Sequence, residues 1–280
     1  MSEFSKTTYN FNSRLVLNDD TTDPDAFVLV DPQALLDTLA ANVQEPKPTE
    51  PGIIDYGVKF NQGIAVIPVQ LVATSEAKMA QLIQDVKQAF NPDLLELDTT
   101  YGETTKYQGY HPLKWTETVG STSRAFQIYL KSQETPIIEQ DSLAGLVREG
   151  KLKLKAMDPR KYLQTQSTLT GAGAGVNAGT YPTPVEITIT ASGTTSVNLQ
   201  LINATRSPAD VIYVTTALAN NDVLVIDTFL HSVKLNGTEK RGLLGNNTEW
   251  WTLLPGQNTI TYNNGSNMTM VTRWYSAWPL

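Results

Sequence analysis

The feature that most limits how this chain can fold is the run of short apolar alternations after residue 184. "PVEITITASG", "SVNLQLINAT", "DVIYVTT", "NDVLVIDTFLHSVKLNG", "EWWTLLPG", "NTITYNNG" and "MTMVTRWY" follow one another with little but Gly, Asn and Pro turns between them. A period of two marks half-buried strands, and many such strands at close spacing predict a two-sheet β-sandwich over residues 185–280. Val185, Ile187, Ile189, Val197, Leu199 and Leu201 are its expected inward positions. Trp250 and Trp251 stand side by side here, and on a strand neighbours point to opposite faces. One indole, sharing its face with Leu253 or Leu254, is expected in the core, where burial contributes about 2–3 kcal/mol. The other is expected to lie under a loop, such as the Gly-rich stretch or the C-terminal "WYSAWPL", or to face a partner or a sugar. Pro255-Gly256 suits the central positions of a type II turn, and Asn236-Gly237 a tight hairpin turn.

The first half reads differently. "TSEAKMAQLIQDVKQAF" places Met79, Leu82, Ile83, Val86 and Phe90 on one helical face, with Ser75 as N-cap and Pro92 just past the end. Before it, "GIAVIPVQLVA" is β-rich but holds Pro68, which predicts an edge position or a bulge because proline cannot donate to a ladder. "LLELD", "TTKYQGYHPLKWTE", "RAFQIYLKS" and "KLKLKAM" follow as further strands. Residues 53–158 therefore read as α+β, one amphipathic helix on a sheet. "QEPKPTEPG" upstream reads as an extended connector or an ordered surface loop. The Gly-rich residues 165–184 lack the Lys-Ser/Thr and following helix of a phosphate loop, so they read as a linker or a hairpin.

Composition narrows the chemistry. At 280 residues, 40% apolar and 18% charged, the chain is globular. Its net charge of −7 argues against a protein that works by gripping phosphates. The absence of cysteine removes disulfides, thiolate metal sites and Cys nucleophiles. No stretch has the length of a membrane span, and the opening residues lack the pattern of a secretory signal. Asn203, Asn246 and Asn267 stand in Asn-x-Ser/Thr triplets to which an Asn/Thr-rich chain lends no weight. His111 and His231 stand alone, outside metal-ligand spacing, and are expected as structural residues. Asp19, Asp20, Asp23 and Asp25 lack the glycine and terminal Glu of a calcium loop and read as a solvated turn. Glu96, Asp98 and Glu103 offer carboxylates without a legible separation, and no G-x-S-x-G elbow occurs. The residues point to a binding or structural role with no cofactor, no metal and no catalytic constellation.

At "GKLKLKAMDPRKY" a strand ends in Asp158-Pro159, followed by a basic residue and Tyr162. With "NDVLVIDTFLHSVKLNG" and "WWTLLPGQNTITY" in this order, the chain resembles the distal tail proteins of long-tailed bacteriophages. Asp158 before proline is driven to an extended backbone, which would turn the chain out of its sheet. The resemblance implies a ring-forming belt domain over residues 53–164, the Gly-rich 165–184 as a joint, and a galectin-like sandwich over 185–280. Residues 1–52, an arm and the start of the belt domain, match the family's usual opening poorly. It further implies a structural virion protein, not an enzyme, assembled in the bacterial host. Its hexameric ring would join the tail tube to the baseplate hub, dock receptor-binding proteins, and let DNA pass without binding it. The acidic balance would suit a channel lined by belt-domain carboxylates. Galectin-like sandwiches also present aromatics to sugars, so Trp250, Trp251, Trp274 and Trp278 form a candidate interaction surface. The competing readings are a carbohydrate-binding adhesin and, more weakly, a tail-associated glycan hydrolase.

Overall fold

The structure is a computed structural model and describes residues 8–11, 15–19, 23–30, 64–93, 110–119, 121–139, 146–156 and 160–279. The expected strand "LLELD", the proline-rich 44–52, Asp20, Glu96, Asp98, Glu103, Asp158 and Pro159 lie outside the described residues. The chain divides into two compact units, Met1–Lys161 with Pro279–Leu280, and Tyr162–Trp278.

The first unit contains β1 (Tyr9–Phe11), β2 (Leu15–Leu17), β3 (Ala26–Val30), β4 (Ile64–Ala73), α1 (Glu76–Ala89), β5 (His111–Val119), β6 (Thr122–Ser132), β7 (Ile137–Ile138) and β8 (Val147–Ala156). β9 (Arg160–Leu163) spans the point where the units divide. The strands run in the order β9-β6-β5-β1-β2-β3-β4-β8-β7, and β6 also pairs with β8. That extra pairing, Leu130↔Ala156 to Ser132↔Leu154, closes the seven strands from β6 to β8 on themselves, with β9 and β7 outside the closure. The strands β1–β3 of the opening residues are thus interior members of the sheet, between β5 and β4.

Sequence explains several details. Ser75 Oγ accepts from the Lys78 N–H at 3.3 Å and starts α1, whose Met79, Leu82, Val86 and Ala89 are buried. Phe90 at the helix end stacks on Phe11 of β1, with centroids 4.4 Å apart. Ile83, expected on the same face, is only half-buried. Pro68 pairs with Lys151 of β8, one residue beyond Val30↔Val69, the last described pair with β3. β6 and β7 both pair with β8 and are separated by a break that contains Pro136, which has no N–H. The single parallel pair between β2 and β3, Leu17↔Val28, is extended by a side chain: Asn18 Oδ1 accepts from Val30 N–H at 2.7 Å and Asn18 Nδ2 donates to Val30 O at 2.9 Å.

The second unit holds β10 (Ser167–Thr170), β11 (Gly173–Asn177), β12 (Thr183–Pro184), β13 (Glu186–Ala191), β14 (Leu199–Asn203), β15 (Asp210–Val214), β16 (Val223–Asp227), β17 (Ser232–Leu235), β18 (Thr238–Glu239), β19 (Thr252–Leu253), β20 (Gly256–Asn263), β21 (Met268–Trp274) and β22 (Ala277–Pro279). One sheet runs β10-β21-β13-β16-β17-β18 and the other β11-β20-β14-β15. A single core draws Ile187, Ile189 and Ile226 from the first sheet, Leu201, Ile212 and Ile260 from the second, and Trp251 between turns. The Gly-rich residues 165–184 supply β10 to one sheet and β11 to the other, with Gly171 at φ +76° between them.

Val197 departs from its expected inward position and is 57% exposed, whereas Leu199 and Leu201 are buried. The cause lies between them: Asn198 takes φ +59°, which ends the alternation and restarts it in β14. Asn236-Gly237 forms the two-residue turn between β17 and β18, both residues at positive φ, as a type I′ hairpin requires.

Candidate functional site

The four tryptophans do not form one surface. Trp251 is 1% exposed, shares its face with the buried Leu253, and donates from Nε1 to the Leu201 carbonyl at 3.4 Å. Trp274 is buried and donates to Val176 O at 3.2 Å, its ring lying over Gly175, where a Cβ would crowd it. Trp278 is also buried. Of the four residues expected as an interaction surface, three are buried: Trp274 and Trp278 on strands, and Trp251 just ahead of β19.

Trp250 is half-buried, packs against the core cluster and stacks on His231, with ring centroids 4.8 Å apart and planes 14° from parallel. His231 sits at φ +49° in the turn after β16, whose N–H groups at Phe229 and Leu230 donate to Asp227 Oδ1. Burial pushes the imidazole pKa below its ordinary value, the cation of Arg241 adds to this, and Asp227 opposes it. Arg241 Nε itself donates to Glu239 Oε1 at 3.1 Å. A sugar platform needs an open aromatic face, and one face of Trp250 is occupied by the imidazole.

The Pro255-Gly256 turn has Gly256 at φ +88°. The fully buried Asn258 braces it: Oδ1 accepts from Leu254 N–H at 2.8 Å, and Nδ2 donates to Leu254 O at 2.8 Å and Gly256 O at 3.0 Å. Tyr162 is buried. His111 is buried beside Phe11. Asp210 has its carboxyl pKa raised, first by burial and then by Glu249, while Arg206 at 3.5 Å counters the rise. Among the described residues no three His, Asp or Glu side chains come together as a metal site, and no helix is long and apolar enough to cross a membrane.

The outer face of the first unit holds a surface that the sequence reading passed over. Ile137 of β7, Lys151 of β8 and Pro68 of β4 stand in register, and Lys153 faces Val66 one row on. Ile137 is 61% exposed and Val66 52%, with Leu29 of β3 also exposed nearby in the sheet. Lys153 pairs with Glu134 at 3.3 Å. The alternation of "KLKLK" already sets the lysines on one face, but the apolar residues beside them follow only from the register.

Residues 178–278 match the model of the family described as siphovirus-type tail component, C-terminal domain. Among solved structures the chain is similar to the Dit protein (gp 19.1) of phage SPP1, described as a paradigm of the hub adsorption apparatus in phages that infect Gram-positive bacteria. The identity is 15%, the coverage 96% of this chain and 98% of that one, and the TM-score 0.56. A chain of the phage P2 baseplate in its activated conformation with Ca is similar over 95% of this chain and 97% of that one, at 8% identity and a TM-score of 0.44. No curated protein matches the sequence. The resemblance to distal tail proteins is upheld by the match of residues 178–278 to the siphovirus-type tail component model and by the likeness in fold to SPP1 Dit along the chain.

Proposed function

We propose that the protein is a structural component of a phage tail tip that forms a ring, in six copies, between the tail tube and the baseplate hub. In this reading residues 53–164 form the ring-making belt domain, with residues 1–52 as its opening and arm. Residues 165–184 form the joint, and residues 185–280 a galectin-like sandwich on which receptor-binding or auxiliary proteins dock. The observation that carries the reading is the combination of a tail-component family over residues 178–278 with a likeness in fold to SPP1 Dit that also takes in the first unit. The protein acts by assembly and has no catalytic role. Carboxylates of the belt domain line the channel and repel the passing duplex, consistent with the net charge of −7.

Native mass spectrometry with negative-stain microscopy of the purified chain tests this directly. A hexamer seen as a ring, and a label on this chain at the tail tip of the particle, are expected. Absence of the label from the tail tip would overturn the reading, and a ring with a markedly basic lumen would overturn the channel. The adhesin reading gains nothing from the tryptophans, since three are buried and the fourth is stacked on His231.

A further inference from the structure

Among the described residues, the apolar and basic outer face of β4, β7 and β8 has no internal partner that would explain it. Lys151, Lys153 and Lys155 project from one side of β8, and Lys155 stands opposite Lys131 of β6. Adjacent like charges destabilise a sheet. Glu134 relieves Lys153, and Glu149 stands one step along the same side, but neither Lys151 nor Lys155 has an ion pair among the described residues. Between these cations lie Val66 and Ile137, the most exposed large apolar residues of this face. Exposed apolar side chains interleaved with unpaired cations on a rigid sheet suit an acidic protein segment with some apolar content.

The same unit carries such a segment at its other end. In the turn between β2 and β3, Asp23 and Asp25 are exposed, and Asp25 is fixed to the end of β4: its carbonyl accepts from Thr74 N–H at 2.8 Å. Ile64, which pairs with Lys155, is at the opposite end of β4. At ~3.3 Å per strand residue Lys151, opposite Pro68, and Lys155, opposite Ile64, stand roughly 20 and 30 Å along the sheet from the aspartates. A chain therefore cannot bring its own aspartates to its own lysines, but a second copy can. Contact between unlike ends of identical molecules is heterologous, and repetition of it with closure generates a ring.

We propose that the outer face of β4, β7 and β8 seats the acidic β2–β3 turn of the neighbouring copy, Lys151 and Lys155 meeting Asp23 and Asp25 around a contact made by Val66 and Ile137. The inference rests on the ring reading above and supplies its subunit contact. It also accounts for the lysines without placing them in the DNA channel.

Two charge-reversed chains test the proposal. One carries Lys151→Glu and Lys155→Glu, the other Asp23→Lys and Asp25→Lys. All four positions are at the surface or half-buried, and circular dichroism and thermal melting confirm that each variant folds. In native mass spectrometry and sedimentation velocity each variant alone is expected to lose the wild-type assembly, with at least a tenfold weaker association by the order of magnitude of charge-pair effects. Mixed together they are expected to assemble again, since each supplies the complement that the other needs. Unchanged assembly of the lysine variant would overturn this seat and leave the ring reading standing. Failure of the mixture to reassemble would also overturn it. A wild-type chain that stays monomeric through the millimolar range would overturn the seat as a self-contact, whereas tail-tip labelling of the particle decides the ring reading separately. A wild-type complex with a short DNA duplex that the lysine reversals abolish, with assembly unchanged, would reassign the face to nucleic acid.

Discussion

The Trp250 indole lies nearly parallel on the His231 imidazole, 4.8 Å between centroids, although nineteen positions of chain separate them (250 minus 231). The pair fixes the turn after β16 against the segment that leads into β19. It also makes the imidazole report on that contact, because burial is the main cause of its lowered pKa.

A histidine whose folded pKa lies below its ordinary value of 6.5 is bound by more protons in the unfolded chain over the interval between the two. Its contribution to stability is therefore full above pH 6.5, falls as the pH drops from there towards the folded pKa, and then levels off. NMR titration of His231 is expected to give a midpoint below 6.5. Trp250→Ala, which uncovers the ring, is expected to move the midpoint back up, and an unmoved midpoint would show that the stack does not control it.

The adjacent tryptophans should differ sharply in energetic weight. Trp251→Ala leaves a cavity in the core of the second unit and is expected to cost about 3–5 kcal/mol. Trp250→Ala removes a half-buried ring and one stacked contact, and is expected to cost about 1–2 kcal/mol. Urea denaturation of both variants compares them, and equal losses would contradict the assigned faces.

Asn258→Leu retains a similar bulk but removes three hydrogen bonds that hold Leu254 and Gly256. The expected loss is about 2–4 kcal/mol, since Leu254 is left with two backbone groups to satisfy elsewhere. Chemical denaturation gives the loss, and amide exchange at Leu254 should rise first.

Thr272 presents the opposite case. It is fully buried on β21, and its hydroxyl has no hydrogen-bond partner among the described residues. Thr272→Val removes that cost at nearly constant shape and is expected to leave stability unchanged or raise it by up to about 2 kcal/mol. A clear fall in melting temperature would show that the hydroxyl is satisfied in solution.

Local rules carried the reading wherever the structure is locally determined. Ser75 announces the start of α1, and Asn236-Gly237 and Gly256 mark positions of positive φ from residue type alone. The alternation through Ile187 and Ile189 gives the inward face of β13 for the same reason. Val197 shows how that logic breaks: one left-handed residue, Asn198, resets which side is inside, and no period-two pattern registers it. The candidate site was less legible because it depends on distance in the chain. Which face of Trp250 is covered depends on His231, and the apolar neighbours of the lysines in β8 come from β4 and β7, whose register is a tertiary property. Residues 165–184 look like a spacer by composition because small side chains suit both a flexible joint and strands that lie under large rings, as Gly175 does beneath Trp274.

Asn18, Asn236 and Asn258 each use a side-chain amide as a strand would use a peptide group, offering donor and acceptor together. An amide of this kind ages chemically, and asparagine is among the thermolabile residues. Asn236 is the most vulnerable of the three, since the glycine after it offers no steric protection. Its hydrolysis to a carboxylate would replace the 2.8 Å bond from Nδ2 to Asp222 Oδ1 with two negative groups face to face. The hairpin of β17 and β18, like the Asn264-Gly265 turn, is therefore a place where stored protein should lose its native form, and a glutamine, serine or glycine at 236 would trade some of the clasp for shelf life.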